Sequence, residues 1–356
     1  MATKWILHYD MTSPSWATSQ EKLYRAAIEQ SAWADKLGCP EVILSHHRFA
    51  EDGYLPAPMT LGAAIAAVTE STRINLTALL LTLLDPVHAA EEVAVLDLIS
   101  GGRVDMVCGL AYVDYEFAMS GLNRRDRARL IESKLPAFLA GLTGDWFEYE
   151  GRRIRVRPQA CQRPRPPVLL GGSVKASTER AARLADGFMP MDTALIQPYY
   201  EACDRIGRLR GTVVHGNYPF FVYVTDDPDK AWATIAPHAL HELNMYGKWQ
   251  VDAGFDGGYR FEPMTDVGPV KESGVLAVVT PEECLTLAES LEPPPVNVLR
   301  LKPLMAGLDP DFGWAGLELF AAKVLPHLQT AAPAPLATVL PVYEASPVAA
   351  AESSAA

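Results

Sequence analysis

A helical pattern that passes directly into a strand pattern is the feature that most constrains this fold. The segment from Pro86 to Ser100 starts with proline, has apolar residues at helical spacing and meets Gly101 and Gly102, which favour a helix end. After one arginine, the apolar run from Val104 to Cys108 predicts a buried strand. A helix followed so closely by a strand is the repeating unit of a parallel sheet. We therefore predict an α/β fold.

Further apolar runs have the length and composition of strands. They lie at residues 5–9, 41–44, 74–81, 168–170, 187–191, 220–224 and 296–301. Together with residues 104–108 they give about eight strands separated by helical patterns, as a closed (β/α)8 barrel requires. A doubly wound open sheet shows the same alternation, but no glycine-rich dinucleotide motif follows Tyr9. The strand count favours a TIM-type barrel, whose active site lies at the C-terminal ends of the strands.

Two stretches interrupt the alternation. Residues 226–292 form a long connection rich in glycine and aromatic residues, with a helical piece from Pro281. Such a connection typically serves as a lid or a flexible excursion. From Ala331 onward alanine and proline dominate without periodicity, which predicts a disordered tail over residues 331–356. The expected organisation is one barrel domain over residues 1–330, with residues 226–292 as its insertion.

Composition excludes several classes of protein. The chain has 356 residues, 49% of them hydrophobic, and a net charge of -12, which disfavours binding to nucleic acid or to an anionic membrane surface. Five scattered cysteines without a CxxC pair predict neither a disulfide framework nor a zinc site. The first apolar run ends at His8 and is too short for a signal peptide or membrane anchor. We expect a cytoplasmic protein.

Two short motifs follow predicted strands and therefore lie at the expected catalytic rim. Ser45-His46-His47 comes after residues 41–44, and a histidine there can act as acid, base or hydrogen-bond donor, or can simply cap the barrel end. A metal site is the third reading, although no convincing ligand spacing is present. Gly171-Gly172-Ser173 precedes a helix and is typical of a phosphate cradle, or of a tight turn with Ser173 as helix N-cap.

Several motifs, in order along the chain, resemble those of the luciferase-like flavin-dependent monooxygenases. They are the histidine pair with the residues up to Gly53, the block from Pro86 to Arg103, Tyr112 with Glu116-Phe117, the Gly171–Ser173 turn, and residues 180–187. The resemblance covers residues 1–328. It implies a (β/α)8 barrel with a long late insertion.

The resemblance also implies a flavin site. The FMN phosphate would bind at Ser173 in the Gly171-Gly172-Ser173-Val174 turn, with Arg127 as a guanidinium partner. The flavin ring would lie over Ala78, Leu79 and Leu80, where relatives carry a non-proline cis peptide bond; Ala78-Leu79 or Leu79-Leu80 is the matching place. His46 matches the catalytic histidine of the family. The remaining candidates would shape a hydrophobic substrate pocket: His47, Tyr112, Tyr246 and Trp249.

The implied chemistry is oxygen activation. Reduced FMN, supplied by a separate flavin reductase that binds transiently, would react with O2 to give a flavin peroxide that oxygenates a small organic substrate. The resemblance further implies a homodimer, and it implies no metal. Ser45 stands where relatives commonly carry glutamate, and Leu110 stands where some carry a phosphate-binding arginine. A deazaflavin-dependent oxidoreductase that transfers hydride, or a flavin-binding protein without turnover, remain the alternatives.

Overall fold

Ten parallel strands form the main sheet in the computed structural model, which describes residues 3–215, 219–254, 263–291 and 298–341. The sheet strands are Lys4–Tyr9 (β1), Glu41–Leu44 (β2), Arg73–Leu79 (β3), Val104–Cys108 (β4), Val168–Gly172 (β7), Gly187–Pro190 (β8), Thr212–Val213 (β9), Phe221–Val224 (β10), Leu276–Val279 (β11) and Val298–Leu301 (β12). A separate antiparallel hairpin is formed by Phe147–Tyr149 (β5) and Arg152–Ile154 (β6).

Helices cover the outer face of this sheet. They are Gln20–Lys36 (α1), Pro58–Ala67 (α2), Pro86–Ser100 (α3), Asp114–Met119 (α4), Arg127–Thr143 (α5), Lys175–Leu184 (α6), Ile196–Arg205 (α7), Pro228–Asp252 (α8), Gly268–Ser273 (α9), Pro281–Ser290 (α10) and Pro310–Lys323 (α11). Each predicted apolar run overlaps one of the observed strands, and the predicted TIM-type barrel is confirmed. None of the described helices combines the length and apolarity needed to cross a bilayer.

The strands of the main sheet follow the chain order only in part. Neighbouring strands follow the order β11-β10-β12-β1-β2-β3-β4-β7-β8-β9, and β9 and β10, near its two ends, are consecutive along the chain. The carboxyl ends of all these parallel strands therefore meet at one rim. The hairpin, β9 and β11 were not predicted, because runs of two to four residues carry little periodic signal.

Residues alternate between the two faces of each strand. On β3, Ile74 and Leu76 join the large apolar core shared with the helices. Arg73, Asn75 and Thr77 lie on the other face, inside the barrel. The Asn75 side chain donates to the Glu41 carboxylate over 2.5 Å, and Glu41 also forms an ion pair with Lys4 on β1. One side of the barrel interior is therefore filled by a polar network.

The late insertion differs from its prediction as a long loop. Most of its first part is helix α8, which starts at Pro228 with Asp227 as a cap that accepts a hydrogen bond from the Lys230 N–H. Pro237 lies inside this helix and masks the helical pattern in the sequence, since proline normally interrupts a helix. The predicted helical piece from Pro281 is confirmed as α10. Residues 255–262 and 292–297 lie outside the described part of the chain.

The C-terminal segment corrects the predicted boundary of the tail. Residues 331–341 run along the barrel: the Leu336 N–H donates to Asp105 Oδ1 and the Leu340 N–H donates to Asp186 Oδ1, each over 3.0 Å. Ala337 is buried against Val107 and Leu169 on the inner face of β4 and β7. Ordered contacts therefore continue past Ala331, because two buried carboxylates accept from this segment. Residues 342–356 lie outside the described residues.

Candidate active site

A cavity of about 450 Å³ opens at the carboxyl ends of strands β2, β3, β4, β7 and β8. Most of the predicted site residues, although far apart in sequence, line this one cavity: His46, His47, Ala78, Leu80, Tyr112, Arg127, Gly171, Gly172, Ser173, Val174 and Tyr246. Leu79 and Trp249 do not line it. The Leu79 side chain belongs to the outer apolar core, since it alternates with Ala78 and Leu80 along the chain. Trp249 packs behind His47 instead.

His46 is a buried neutral side chain with one free nitrogen. Its Nδ1 accepts a hydrogen bond from the Leu80 N–H over 3.1 Å, so the ring proton lies on Nε2. Burial, then the charges of His47 and Arg48, lowers the pKa of His46 to about 3, and the Pro56 carbonyl partly opposes this shift. Nε2 is buried and has no hydrogen-bond partner within ordinary distance in the described chain. The His46 ring therefore lines the cavity while its Nε2 proton lies within the wall.

His47 is held in place by Glu116 and by aromatic side chains around it. Its Nδ1 lies 3.1 Å from Glu116 Oε1, which also accepts the Arg48 N–H over 2.7 Å. The ring packs at 4.6 Å from Trp249 and makes edge contacts with Tyr54 and Tyr112. Together with Tyr246, whose hydroxyl lies 2.7 Å from the Tyr54 hydroxyl, these rings form an aromatic cluster at one side of the cavity. Such a wall favours an apolar ligand and excludes water.

The floor between β2 and β3 contains the cis peptide bond. It joins Thr77 to Ala78, one residue before the nearer of the two predicted positions. The register of β3 against β4 shifts between Thr77 and Leu79, an irregularity that the sequence pattern does not reveal. The Thr77 carbonyl accepts from Ser45 Oγ over 3.1 Å, and His8 Nε2 donates to the same hydroxyl over 2.7 Å. Ser45 and His8 therefore fix this carbonyl at the cavity floor.

The turn between β7 and α6 forms the opposite end of the cavity. The two glycines are the last residues of β7, and the predicted helix after the turn is α6, which begins at Lys175. A Cβ atom on Gly172 would lie 2.2 Å from Ser177 Cβ, so only glycine allows the turn to pack this closely on the helix. No side chain caps α6, which leaves its first N–H groups available to an anion. The N-cap residue is Val174, so the interpretation of Ser173 as helix N-cap is wrong.

Positive charge surrounds this end of the cavity. Arg124, Arg127 and Arg180 line it, and no aspartate or glutamate of the described residues does so. Arg124 donates to Asp114 Oδ1 over 2.5 Å and to the Ala253 carbonyl at the end of α8 over 3.2 Å. Arg124 and Arg180 were not predicted, because the strand and turn patterns that identified the site carry no signal for arginines contributed by neighbouring helices.

A buried charge cluster attaches helix α8 to the barrel beside the aromatic cluster. Lys302 after β12 lies 2.9 Å from Asp10 Oδ2 and forms a second ion pair with Glu242 of α8. Burial alone would lower the pKa of Lys302, but the two carboxylates raise it above its ordinary value. Tyr246 and Trp249 lie on the same helix. The cluster therefore positions the aromatic residues that α8 contributes to the site.

The cavity suits a flavin-type group with an anionic end. Apolar side chains of Ala78, Leu80 and Val107 line its middle, the glycine turn leaves space at one end, and the His46 Nε2 donor lacks a protein partner. Within the described ranges, no three side chains of His, Cys, Asp or Glu come together as a metal site would need.

Comparison with known proteins identifies the family. The model of the luciferase-like monooxygenase family matches residues 7–281. The chain belongs to the luciferase-like monooxygenase family. The chain spans about half the length of the curated relatives it matches, among them an uncharacterized protein, y4vJ, of Sinorhizobium fredii, which is 26% identical over 200 residues, or 55% of each chain.

Solved structures share the fold of this luciferase-like monooxygenase family member. Monooxygenase RslO1 from Streptomyces bottropensis has a TM-score of 0.68, 22% identity, and coverage of 91% of this chain and 99% of its own. The FMN-bound oxygenating constituent of 3,6-diketocamphane monooxygenase from Pseudomonas putida has a TM-score of 0.69 and 16% identity, with coverage of 93% of this chain and 100% of its own. An F420-dependent secondary alcohol dehydrogenase with an F420-acetone adduct has a TM-score of 0.62 and 16% identity, with coverage of 91% of this chain and 98% of its own. At these identities the likeness concerns the fold alone.

Proposed function

We propose that this protein is a flavin-dependent monooxygenase that uses reduced FMN and O2 to oxygenate a small organic substrate. The observation that carries the proposal is the shared cavity: the glycine-serine turn, the His46 side chain and the aromatic cluster all line one space. Family membership and the FMN-bound structural neighbour support it.

Each part of the cavity has a defined task in this proposal. Ser173, the backbone of Gly172 and Val174, the first turn of α6 and Arg127 hold the phosphate. Leu80 and Ala78 contact the ring, and the reduced ring, when bound, supplies the electrons for oxygen activation. His46 remains neutral and donates a hydrogen bond from Nε2 to the bound reactants. The aromatic cluster orients the substrate and keeps water out.

Cofactor delivery and assembly complete the proposal. A separate reductase supplies reduced FMN, in keeping with Leu110 at the cavity wall in place of a further cation. A homodimer is supported by exposed apolar residues on α3, where Val95, Leu98 and Ile99 are each more than 40% exposed. A cytoplasmic location is supported by five unpaired cysteines. Light scattering in solution tests the dimer.

The decisive experiment measures the binding of FMN first and the formation of an oxygenated product second. Anaerobic titration with photoreduced FMN is expected to show saturable binding. Mixing the complex with isotopically labelled O2 and a panel of aldehydes, ketones and ring compounds is expected to place one labelled oxygen atom in a product. Absence of saturable binding by either oxidised or reduced FMN would overturn the proposal.

A deazaflavin-dependent oxidoreductase is the second candidate. It is supported by the F420-dependent alcohol dehydrogenase, which has the same fold. Calorimetry with FMN and with the deazaflavin separates the two functions, because exclusive binding of the deazaflavin, with hydride transfer and no oxygen uptake, would favour the second. A protein that binds flavin without turnover is recognised when neither the native protein nor a His46→Ala variant forms product.

A further inference from the structure

The C-terminal segment, residues 331–341, lies next to side chains that form the floor of the active-site cavity. Ala337 is only 9% exposed and packs on Val107 and Leu169, and Leu336 contacts the same apolar cluster. Val107 also lines the cavity, as does Met189 of this cluster. One small group of apolar side chains is therefore shared by the cavity and the C-terminal segment.

The strands show that the cavity and the C-terminal segment lie on opposite sides of this group. The N–H groups of Leu336 and Leu340 donate to carboxylates at the amino ends of two strands, those of Asp105 on β4 and of Asp186 just before β8. The cavity opens at the carboxyl ends of the same strands. Since Asp105 and Val107 alternate onto one face of β4, this face leads from the C-terminal segment, through Val107, to the cavity.

The C-terminal segment has a fixed place at the base of the barrel. β7 lies between β4 and β8 in the sheet, so a chain bonded to Asp105 and Asp186 crosses beneath β7 and its Leu169 side chain. Arg73 donates to Asp105 over 3.0 Å. Arg165 donates to both oxygens of Asp186, over 2.6 and 3.0 Å. The two acceptors are therefore held by buried ion pairs, and hydrogen bonds to charged acceptors are among the stronger ones in proteins.

Two glycines make the floor of the cavity depend on this support. Val107 and Leu169 are neighbours in the register of β4 and β7. Two residues beyond them, Gly109 and Gly171 line the cavity. Barrel interiors are normally filled by successive layers of side chains, but glycine supplies no side chain to the next layer here. Val107 therefore borders open space on its cavity side, and the contacts on its other side determine where it lies.

We propose that the C-terminal segment is a positioning element of the active site. By supporting Val107 and Leu169 from the base of the barrel, it fixes the depth of the cavity and hence the affinity for the ligand bound there. Ala337 transmits this support, because among residues 331–341 it is the one buried side chain. The inference rests on the proposed function for the identity of the ligand, FMN.

The first test compares two truncations by titration with FMN. Ending the chain after Thr330 is expected to raise the FMN dissociation constant about 10-fold, the low end of the effect of one methylene group in an apolar pocket. Ending it after Pro341 keeps the segment and is expected to leave the constant unchanged. Well below the unfolding temperature a loss of stability alone does not change the constant, because nearly all molecules are folded. A synthetic peptide of residues 331–341 is expected to restore the affinity of the shorter protein.

The second test changes one residue of the intact chain. Ala337→Leu places a larger side chain beneath Val107 and Leu169, and it is expected to raise the FMN dissociation constant because the displaced floor takes volume from the cavity. Ala334→Leu makes the same change at an exposed position of the segment and is expected to keep the native value. This pair replaces the truncations if circular dichroism shows that the shorter protein does not fold.

Hydrogen exchange tests the support without any flavin. In the chain that ends after Thr330, the amides of residues 104–109 and 168–172 are expected to exchange faster than in the native protein. The amides of β2, two strands away from β4, are expected to keep their native rates.

The outcomes separate this inference from the proposed function. If the native protein binds FMN and neither the truncation after Thr330 nor Ala337→Leu changes the affinity, the positioning role is overturned while the flavin function stands. If the native protein does not bind FMN saturably, the proposed flavin function fails and hydrogen exchange decides the positioning role. Faster exchange confined to β4 and β7 then supports that role, whereas unchanged or uniformly faster exchange overturns it.

Discussion

At the scale of single residues, the site depends on histidines that burial keeps neutral. Burial, then the charges of Lys302 and Arg300, lowers the pKa of His8 well below its ordinary value. The pKa of His46 is lowered to about 3, also mainly by burial. His8 uses its Nε2 proton to fix Ser45, whereas the His46 ring lines the cavity and its buried Nε2 has no partner in the described chain. The same residue type therefore supports the cavity floor in one case and forms part of the cavity wall in the other.

Replacement of His46 by alanine is expected to lower kcat about 100-fold or more, the usual contribution of a positioned hydrogen-bond donor in an active site. The flavin dissociation constant is expected to change little, because the phosphate is held at the other end of the cavity. Steady-state kinetics and flavin titration measure both effects. His88→Ala, on the exposed face of α3, serves as the control. Unchanged kcat in the His46 variant would contradict this role.

The neutral state of His46 also predicts how stability depends on pH. Its pKa is about 3 in the folded protein and about 6.5 when unfolded, so between these values only the unfolded chain binds the proton. The free energy of unfolding therefore rises with pH across this window, and the contribution of His46 is fully present above pH 6.5. In His46→Gln the slope of the free energy of unfolding against pH is expected to decrease by the equivalent of about one bound proton. Denaturant unfolding between about pH 4 and 6, inside this window, measures it, and an unchanged slope would contradict a neutral buried ring.

At the scale of elements, two junctions determine the shape of the cavity. The β7–α6 turn sets the phosphate end, and the attachment of α8 to the barrel sets the aromatic side. Both depend on close contact between two elements, the turn with α6 in one case and α8 with the barrel in the other. Each can be perturbed by one substitution with a matched control.

Gly172→Ala is expected to destabilise the fold by about 1–3 kcal/mol and to weaken FMN binding, because the new Cβ would lie 2.2 Å from Ser177 Cβ and Oγ and displace α6. Gly171→Ala is the control: its Cβ would meet nothing closer than 3.6 Å. Chemical denaturation gives the free energy of unfolding for both variants. Equal losses would argue against the close packing of the turn on α6.

Lys302→Met is expected to lower the free energy of unfolding by about 3–5 kcal/mol, because it leaves the Asp10 and Glu242 carboxylates buried without their cation. Adding Glu242→Leu to this variant should restore part of the loss. Denaturant titration of the single and double variants checks both expectations. A double variant no more stable than Lys302→Met alone would show that α8 is not attached through this cluster.

At the scale of the whole molecule, the C-terminal segment completes the inside of the barrel. The polar network of Lys4, Glu41 and Asn75 fills one side, whereas Leu336 and Ala337 pack against Val107 and Leu169 on the other. The N–H groups of Leu336 and Leu340 supply the remaining hydrogen bonds of Asp105 and Asp186. A segment with the composition of a disordered tail thus contributes Ala337 to the apolar interior, while most of its other residues stay exposed or half-buried.

Truncation after Thr330 is expected to lower the free energy of unfolding by about 2–4 kcal/mol, since it removes two hydrogen bonds to buried carboxylates and the packing of Ala337. Truncation after Pro341 removes only residues 342–356 and is expected to have no effect. Thermal and chemical unfolding of the two proteins measure the difference. The same result for both truncations would contradict a structural role for residues 331–341.

The amino-acid sequence determined the barrel, its strands and the two motifs at its rim. Strands buried on both faces must be nearly continuous apolar runs, and helices between them must carry apolar residues at helical spacing. These elements can therefore be predicted from short stretches of sequence. The positions of His46 and of the Gly171–Ser173 turn follow, because residues after parallel strands share one rim.

Only the tertiary structure decided which side chains meet. The partnership of Arg180 with Glu132, the attachment of α8 through Lys302 and the contacts of residues 331–341 with Asp105 and Asp186 all join distant segments. Local propensity cannot encode them, because Pro237 or an Ala-Pro run has the same pattern whether or not another element packs on it. The free energy of those distant contacts, and not local conformational preference, fixes these parts of the molecule.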